Sequence, residues 1–166
     1  MVMNWLFGRQ EQQETRTQPA PATEVPDSPT ALAAELFRVN RFINSSAGQL
    51  PTGSVVLSRR ITDTVGDVLH ATRDRELDIQ ARVSLNGILR DYLPTTLRTY
   101  LALDPSTRDH PGRSGKSPTD ALSEQLDFLL DSASEVLAAV RNDDANALLA
   151  QGSFLRTKFA RSELDL

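Results

Sequence analysis

A chain of 166 residues, 39% apolar and with a formal net charge of −4, has room for one domain and a tail, since domains commonly run to about 100–150 residues. It contains no cysteine, which excludes disulfides, a thiolate nucleophile, zinc ribbons and iron–sulfur clusters and suits a reducing compartment, so the cytoplasm is the expected location. No apolar run approaches the ~20 residues that cross a bilayer, and Met1–Phe7 lacks the basic and apolar regions of a signal peptide.

Residues 8–27 are Gln, Thr, Glu and Pro with almost nothing to bury, a composition that predicts a disordered linker because burial cannot offset the entropy of ordering. The linker tethers an apolar tip, Met1–Phe7, which carries the chain's single tryptophan. The expected division is therefore a tail over 1–28 and a helical domain over 29–166.

Ser28 followed by Pro29 is a helix start, a hydroxyl to cap free amides and a proline where its missing N–H is harmless. Leu32, Leu36, Val39 and Ile43 recur at helical spacing, with Phe37 and Phe42 widening the stripe, so a first helix is predicted over 29–44. A second follows the turn at 45–53, its stripe formed by Leu57, Ile61, Val65, Val68 and Leu69. The polar run Thr72–Glu76 is either a bend or a solvated turn of a longer helix. A third helix carries Leu77, Ala81, Leu85, Ile88 and Tyr92 on one stripe with Ile79, Val83 and Leu89 beside it, an apolar surface facing more than one neighbour.

Pro94 cannot donate to a helical ladder and disfavours helical geometry in the residue before it, which predicts a stop or kink near Leu93. Leu97, Tyr100 and Leu101 keep the next segment on the same core. The break also admits a binding notch built around Tyr92, Pro94 and Tyr100. Residues 104–117 read as a long solvated loop. Ser117 and Pro118 repeat the start signal, and Leu122, Leu126, Leu129, Ala133, Val136 and Val140 then follow at spacings of four, three, four, three and four, the seven-residue repeat of a left-handed bundle. The outer face of this helix is acidic through Glu124, Asp127, Asp131 and Glu135. Asn142, Asp143 and Asp144 suit a cap or bend before a final helix carrying Leu148, Leu149, Leu155 and Phe159. No segment alternates with the period of a strand, so the expectation is an all-α bundle of four to six helices.

The motifs that would carry chemistry are incomplete. Pro111–Ser117 ends in Gly-Lys-Ser but has His110 near where a phosphate loop needs its first glycine, and no apolar strand feeds it. His70 and His110 have no helical partner at metal-ligand spacing. The carboxylate pairs Asp63 with Asp67 and Asp127 with Asp131 lack the Glu-x-x-His companions of a diiron bundle. No Gly-x-Ser-x-Gly is present, so neither cofactor nor catalytic residue is expected. Ten Lys/Arg against eight Asp/Glu occupy 54–116, whereas nine acids face four bases over 117–166, an acidic second half that argues against nucleic acid.

Trp5, Leu6 and Phe7 beside Arg9 suit docking into a partner's groove, weak contact with the inner face of a membrane, or folding back onto the bundle. The seven-residue repeat equally suits a homo-oligomer.

Two stretches together, Tyr92–Leu103 and Leu122–Phe159, resemble the helical C-terminal region of the bromo-chloro-indolyl-phosphate hydrolysis protein family (XpaC-like). The matching elements are Tyr92, Pro94, Leu97 and either Tyr100 or Leu101, then the Gln125–Leu126 pair, then the closing Phe154, Leu155, Lys158 and Phe159. Family members carry N-terminal membrane-spanning helices where this chain has its linker and tip, so membrane embedding does not carry over. The resemblance implies a helical, non-catalytic accessory protein of envelope or toxic-anion (tellurite) stress, with a phosphatase-like hydrolase or its regulator as the alternative that the family name suggests.

Overall fold

The computed structural model describes residues 28–112 and 115–162, with side chains described as far as Asn146. The expected tail and its tip, including Trp5, Leu6 and Phe7, lie outside the described residues, as do the side chains expected on the last helix, Leu148, Leu149, Leu155 and Phe159.

Helix α1 spans Pro29–Ser46 and opens as its sequence dictates, the Ser28 hydroxyl accepting from the Ala31 amide at 3.2 Å. It buries Leu32, Val39 and Ile43. Phe37 does not widen that stripe: it lies five residues after Leu32, turned away from the core and exposed. Helix α2 spans Thr52–Ala71 and buries Ile61, Val65 and Val68 together with the small polar side chains Ser54, Ser58 and Thr62. The Thr62 hydroxyl bonds back to the Arg59 carbonyl, whereas those of Ser54 and Ser58 have no hydrogen-bond partner among the described residues.

The polar run after α2 is a crossover rather than a helical turn. Asp78 ends it by accepting from the Gln80 amide at 2.8 Å and the Ala81 amide at 3.3 Å, so the third helix, α3 (Ile79–Gly87), starts two residues after Leu77. Leu77 is buried all the same. The double stripe expected on this helix is half right: Leu85, Ile88 and Leu89 are buried, but Ile79 and Val83 face outward.

At Pro94 the chain does not stop. The backbone widens into a π turn over Ile88–Tyr92, with the Leu93 amide donating to the Ile88 carbonyl five residues back, and helix α4 (Leu93–Leu101) follows directly with Pro94 in its first turn. A proline in a regular α-helix clashes with the carbonyl four residues earlier and removes a donor. The wider register relieves both problems locally, which is a common reason for a single π turn inside a helix.

Helix α5 spans Pro118–Ser162, 45 residues and therefore about 68 Å at 1.5 Å per residue. The expected bend at Asn142–Asp144 is absent. Nothing there is a helix breaker of the Pro or Gly kind, and Arg75 from the crossover grips this turn, donating to the Val140 carbonyl at 2.9 Å and pairing with Asp144 at 3.0 Å. The seam predicted by the seven-residue repeat is the one observed: Leu122, Leu126, Leu129, Ala133 and Val140 are buried and Val136 packs against them.

The arrangement is a four-helix bundle, with α3, the π turn and α4 acting as one interrupted rod, and no strand occurs among the described residues. α2 lies between α1 and α5, and the rod closes the ring from α5 back to α1. Asn44 meeting Arg59 makes α1 and α2 antiparallel, while Glu35 beside Arg90 and Arg98 over the Phe42 ring run α1 parallel to the rod. Consecutive α2 and α3 are diagonal partners without an extensive interface, so Thr72–Asp78 crosses the end of the bundle and buries Leu77 on the way. At that same end α1 begins and α5 runs on past Val140.

The opposite end holds the start of α5. Ser117 and Asp120 cap it reciprocally, the Asp120 amide donating to the Ser117 hydroxyl at 3.1 Å while the Ser117 amide and hydroxyl donate to the Asp120 carboxylate at 3.2 and 2.7 Å. This is the logic of a capping box with aspartate in the third position. The hydroxyl and amide of Ser117, in that order, hold the Asp120 carboxyl below its ordinary range. A carboxylate whose folded-state pKa is depressed contributes stability that is complete above its unfolded-state value and lost as pH falls through the folded-state one. Amide exchange in the first turn of α5 should therefore accelerate, relative to the middle of α2, as pH drops below the ordinary aspartate range, and Asp120→Asn should abolish that difference.

Candidate functional site

A groove of about 480 Å³ runs between the interrupted rod and α5. Residues at spacings of four build both sides, since that spacing repeats on one face of a helix. Ser84, Ile88, Tyr92 and Thr96 form one wall, and Gln125, Phe128, Leu129 and Ser132 form the other. The floor is core: Ile88 and Leu129 are buried. The lips are aromatic, with Tyr92 57% and Phe128 71% exposed. Single exposed apolar residues need no explanation, but two aromatic rings flanking one apolar trough form a coherent surface.

The π turn gives Tyr92 its place. With the register widened to five residues, residue 92 lies over residue 87, and the ring rests on Gly87, where an added Cβ would sit 2.9 Å from Cε2 of the ring. Glycine here leaves room for a side chain. Gly87→Ala should raise stability by about 0.5–1 kcal/mol through helix propensity while pushing the flexible Tyr92 ring off its seat. Urea unfolding would register the first effect, and the ring resonances of Tyr92 by NMR would register the second.

The surroundings of the groove are acidic on the α5 side. Glu124 lines it and holds Lys116 at 2.5 Å, and Asp127 and Asp131 flank Phe128 on the exposed face. On the rod, Asp91 accepts from the Thr95 hydroxyl at 3.3 Å. Among the described residues no three His, Cys, Asp or Glu side chains come together to hold a metal ion, and no helix is long and apolar enough to cross a membrane.

Of the residues the sequence singled out, Tyr92 alone lies on this surface as a rim residue. Pro94 is buried in the first turn of α4 and lies outside this groove. Tyr100 is also core, 6% exposed, its hydroxyl hydrogen-bonded to that of Thr119 at 3.0 Å and its ring covered by the Arg108 guanidinium at 4.9 Å. The notch expected between the two tyrosines is thus displaced: Tyr92 lines the main groove, and Tyr100 lines a smaller recess of about 150 Å³ that adjoins it through Thr96 and Gln125. Phe128 was the residue missed. Its signal was present, an aromatic standing off the seven-residue seam in the middle of the acidic face.

Comparison with protein families, with characterised proteins and with solved structures finds no match to this chain.

Proposed function

We propose that the protein is a non-catalytic helical interaction module whose groove between the rod and α5 docks an apolar segment flanked by basic residues on another protein. The observation that carries the reading is the pair of exposed aromatics, Tyr92 and Phe128, over an apolar floor. Acidic side chains around Phe128 favour a basic rim on the occupant, because complementary charge steers encounter and rejects wrong partners. Amphipathic segments laid into such troughs present anchors at helical spacing. The XpaC-like resemblance adds an accessory role in envelope or toxic-anion stress, in the cytoplasm or at the inner face of the membrane.

The test places a photo-reactive amino acid at position 128 of the full chain, irradiates it in native extract and sequences the cross-linked peptide. An apolar peptide of another protein with Lys or Arg at its flanks, whose capture is lost when Tyr92→Glu is added, supports the reading. Cross-links scattered over unrelated acidic or polar peptides would sink it.

The long α5 favours a second reading, an oligomeric scaffold. Residues 141–146 of that helix are exposed, and the helix runs on to Ser162. Concentration-dependent mass in sedimentation would favour this reading over the first.

A further inference from the structure

The occupant that best fits the groove belongs to this chain. We infer that the N-terminal segment Met1–Arg9 lies in the groove between Tyr92 and Phe128 in the free protein and is displaced when a partner binds. The inference rests on the groove being a docking surface for apolar, basic-flanked segments, and it names the first of them.

Chemistry comes first. Residues 1–9 hold two Met, one Trp, one Leu and one Phe, with Arg9 as their charged side chain and no acid. The segment thus offers apolar anchors with a positive charge at Arg9, and Asp127 and Asp131 border the groove with negative charge beside the Glu124–Lys116 pair. Aromatic rings favour offset or edge-to-face contact with other rings, and thioethers favour ring edges. Tyr92 and Phe128 supply those rings at the lips.

Reach comes next. α1 starts at the same end of the bundle as α3, because Glu35 in its second turn pairs with Arg90 at 3.7 Å while Phe42 lies beside Arg98. The same pairs set Ser28 level with about residue 83 of the rod, so Tyr92 stands about nine residues, ~14 Å, further along it. Residues 10–27 separate the N-terminal segment from α1 and can extend over at most about 60 Å. The groove is therefore within reach of its own chain, where binding is intramolecular and the effective concentration is on the order of millimolar. A segment that bound the groove with a Kd on the order of 0.1 mM would then occupy it about 90% of the time.

Trp5 is the single tryptophan of the chain, so its fluorescence reports the segment without labelling. In full-length protein at low concentration, Trp5 emission should be blue-shifted and its quenching by acrylamide several-fold weaker than that of free tryptophan. Phe128→Glu, at an exposed position where the helical circular dichroism should stay intact, should restore solvent-like emission and quenching, as should Tyr92→Glu. Phe37→Glu on the exposed face of α1 should change neither. Solvent-like Trp5 in the unaltered protein overturns the inference, as does a shielded Trp5 that ignores both groove substitutions. Shielding that fades on dilution also overturns it, because the occupant is then a second copy. The readout needs no partner, so exposed Trp5 alongside successful capture of a basic-flanked peptide at position 128 removes the intramolecular occupant alone, whereas failure of that capture as well removes the docking surface.

Discussion

Leu126→Ala should lower the unfolding free energy by about 3–4 kcal/mol, whereas Phe128→Ala, two residues away on the same helix, should change it by less than about 0.5 kcal/mol. Leu126 is fully buried on the α5 seam, and truncating a buried leucine loses the transfer free energy of the removed atoms plus that of the cavity left behind. Phe128 is 71% exposed, and surface substitutions away from caps, charges and strained backbone usually fall within this smaller range. Small domains are stable by only about 5–15 kcal/mol, so the first variant should unfold at visibly lower urea concentration, with an unchanged slope. Circular dichroism through a urea titration measures both. Equal losses would mean that α5 is rotated and its aromatic belongs to the core. The contrast also separates stability from docking, because Phe128 is the side chain whose removal should abolish occupancy of the groove.

How much of this was legible in the sequence depends on whether the cause was local. Ser28–Pro29 and Ser117–Pro118 announced helix starts because a cap and an N-terminal proline act within one turn, and both helices begin there. The seam on α5 was legible because a seven-residue repeat states its own geometry. The π turn was not legible. Pro94 says that a regular α register fails, and only the surroundings decide between a stop, a kink and a wider turn. Since Leu93, Leu97 and Tyr100 all had core to enter, continuing the rod retained their burial. Tyr100 looked like a site residue because tyrosine is amphipathic, and Thr119, brought in from a distant helix, satisfied its hydroxyl in the core. Continuity of α5 through Asn142–Asp144 likewise depended on Arg75, which reaches it across the bundle end. In each case the deciding partner lay far along the chain, beyond the range of periodicity.

Arg108→Met should destabilise the protein by about 2–3 kcal/mol, although composition places this residue in a solvated loop. Its guanidinium donates to the Leu101 carbonyl at 3.1 Å, to Leu103 at 3.0 and 3.3 Å and to Gln49 at 2.9 Å, and it lies over the Tyr100 ring at 4.9 Å. The carbonyls at the end of α4 have no intrahelical partner, and a cation there also complements the helix dipole. The backbone of Arg108 completes the junction, its carbonyl accepting from both the amide and the hydroxyl of Thr119 at 3.1 Å. One residue therefore ties the end of α4 and the turn between α1 and α2 through its side chain and the first turn of α5 through its backbone. Charge-assisted hydrogen bonds contribute about 1.5–3 kcal/mol each when well shielded. Partial exposure of this site reduces that value, and the aliphatic stem retained by Met keeps the packing, which sets the expected total. Arg108→Lys should recover less than half, because a point charge cannot fork to several carbonyls at once. Urea unfolding gives the free energies, and hydrogen exchange locates them: protection should fall at residues 101–103 and 119–122 and stay unchanged at 61–68. Thr96 and Gln125 join the recess under this junction to the main groove, so loosening it should also weaken the shielding of Trp5. A variant as stable as the parent, with unaltered exchange at 101–103, would return 104–117 to the role of a plain linker and leave the α4–α5 junction to Tyr100 and Thr119 alone.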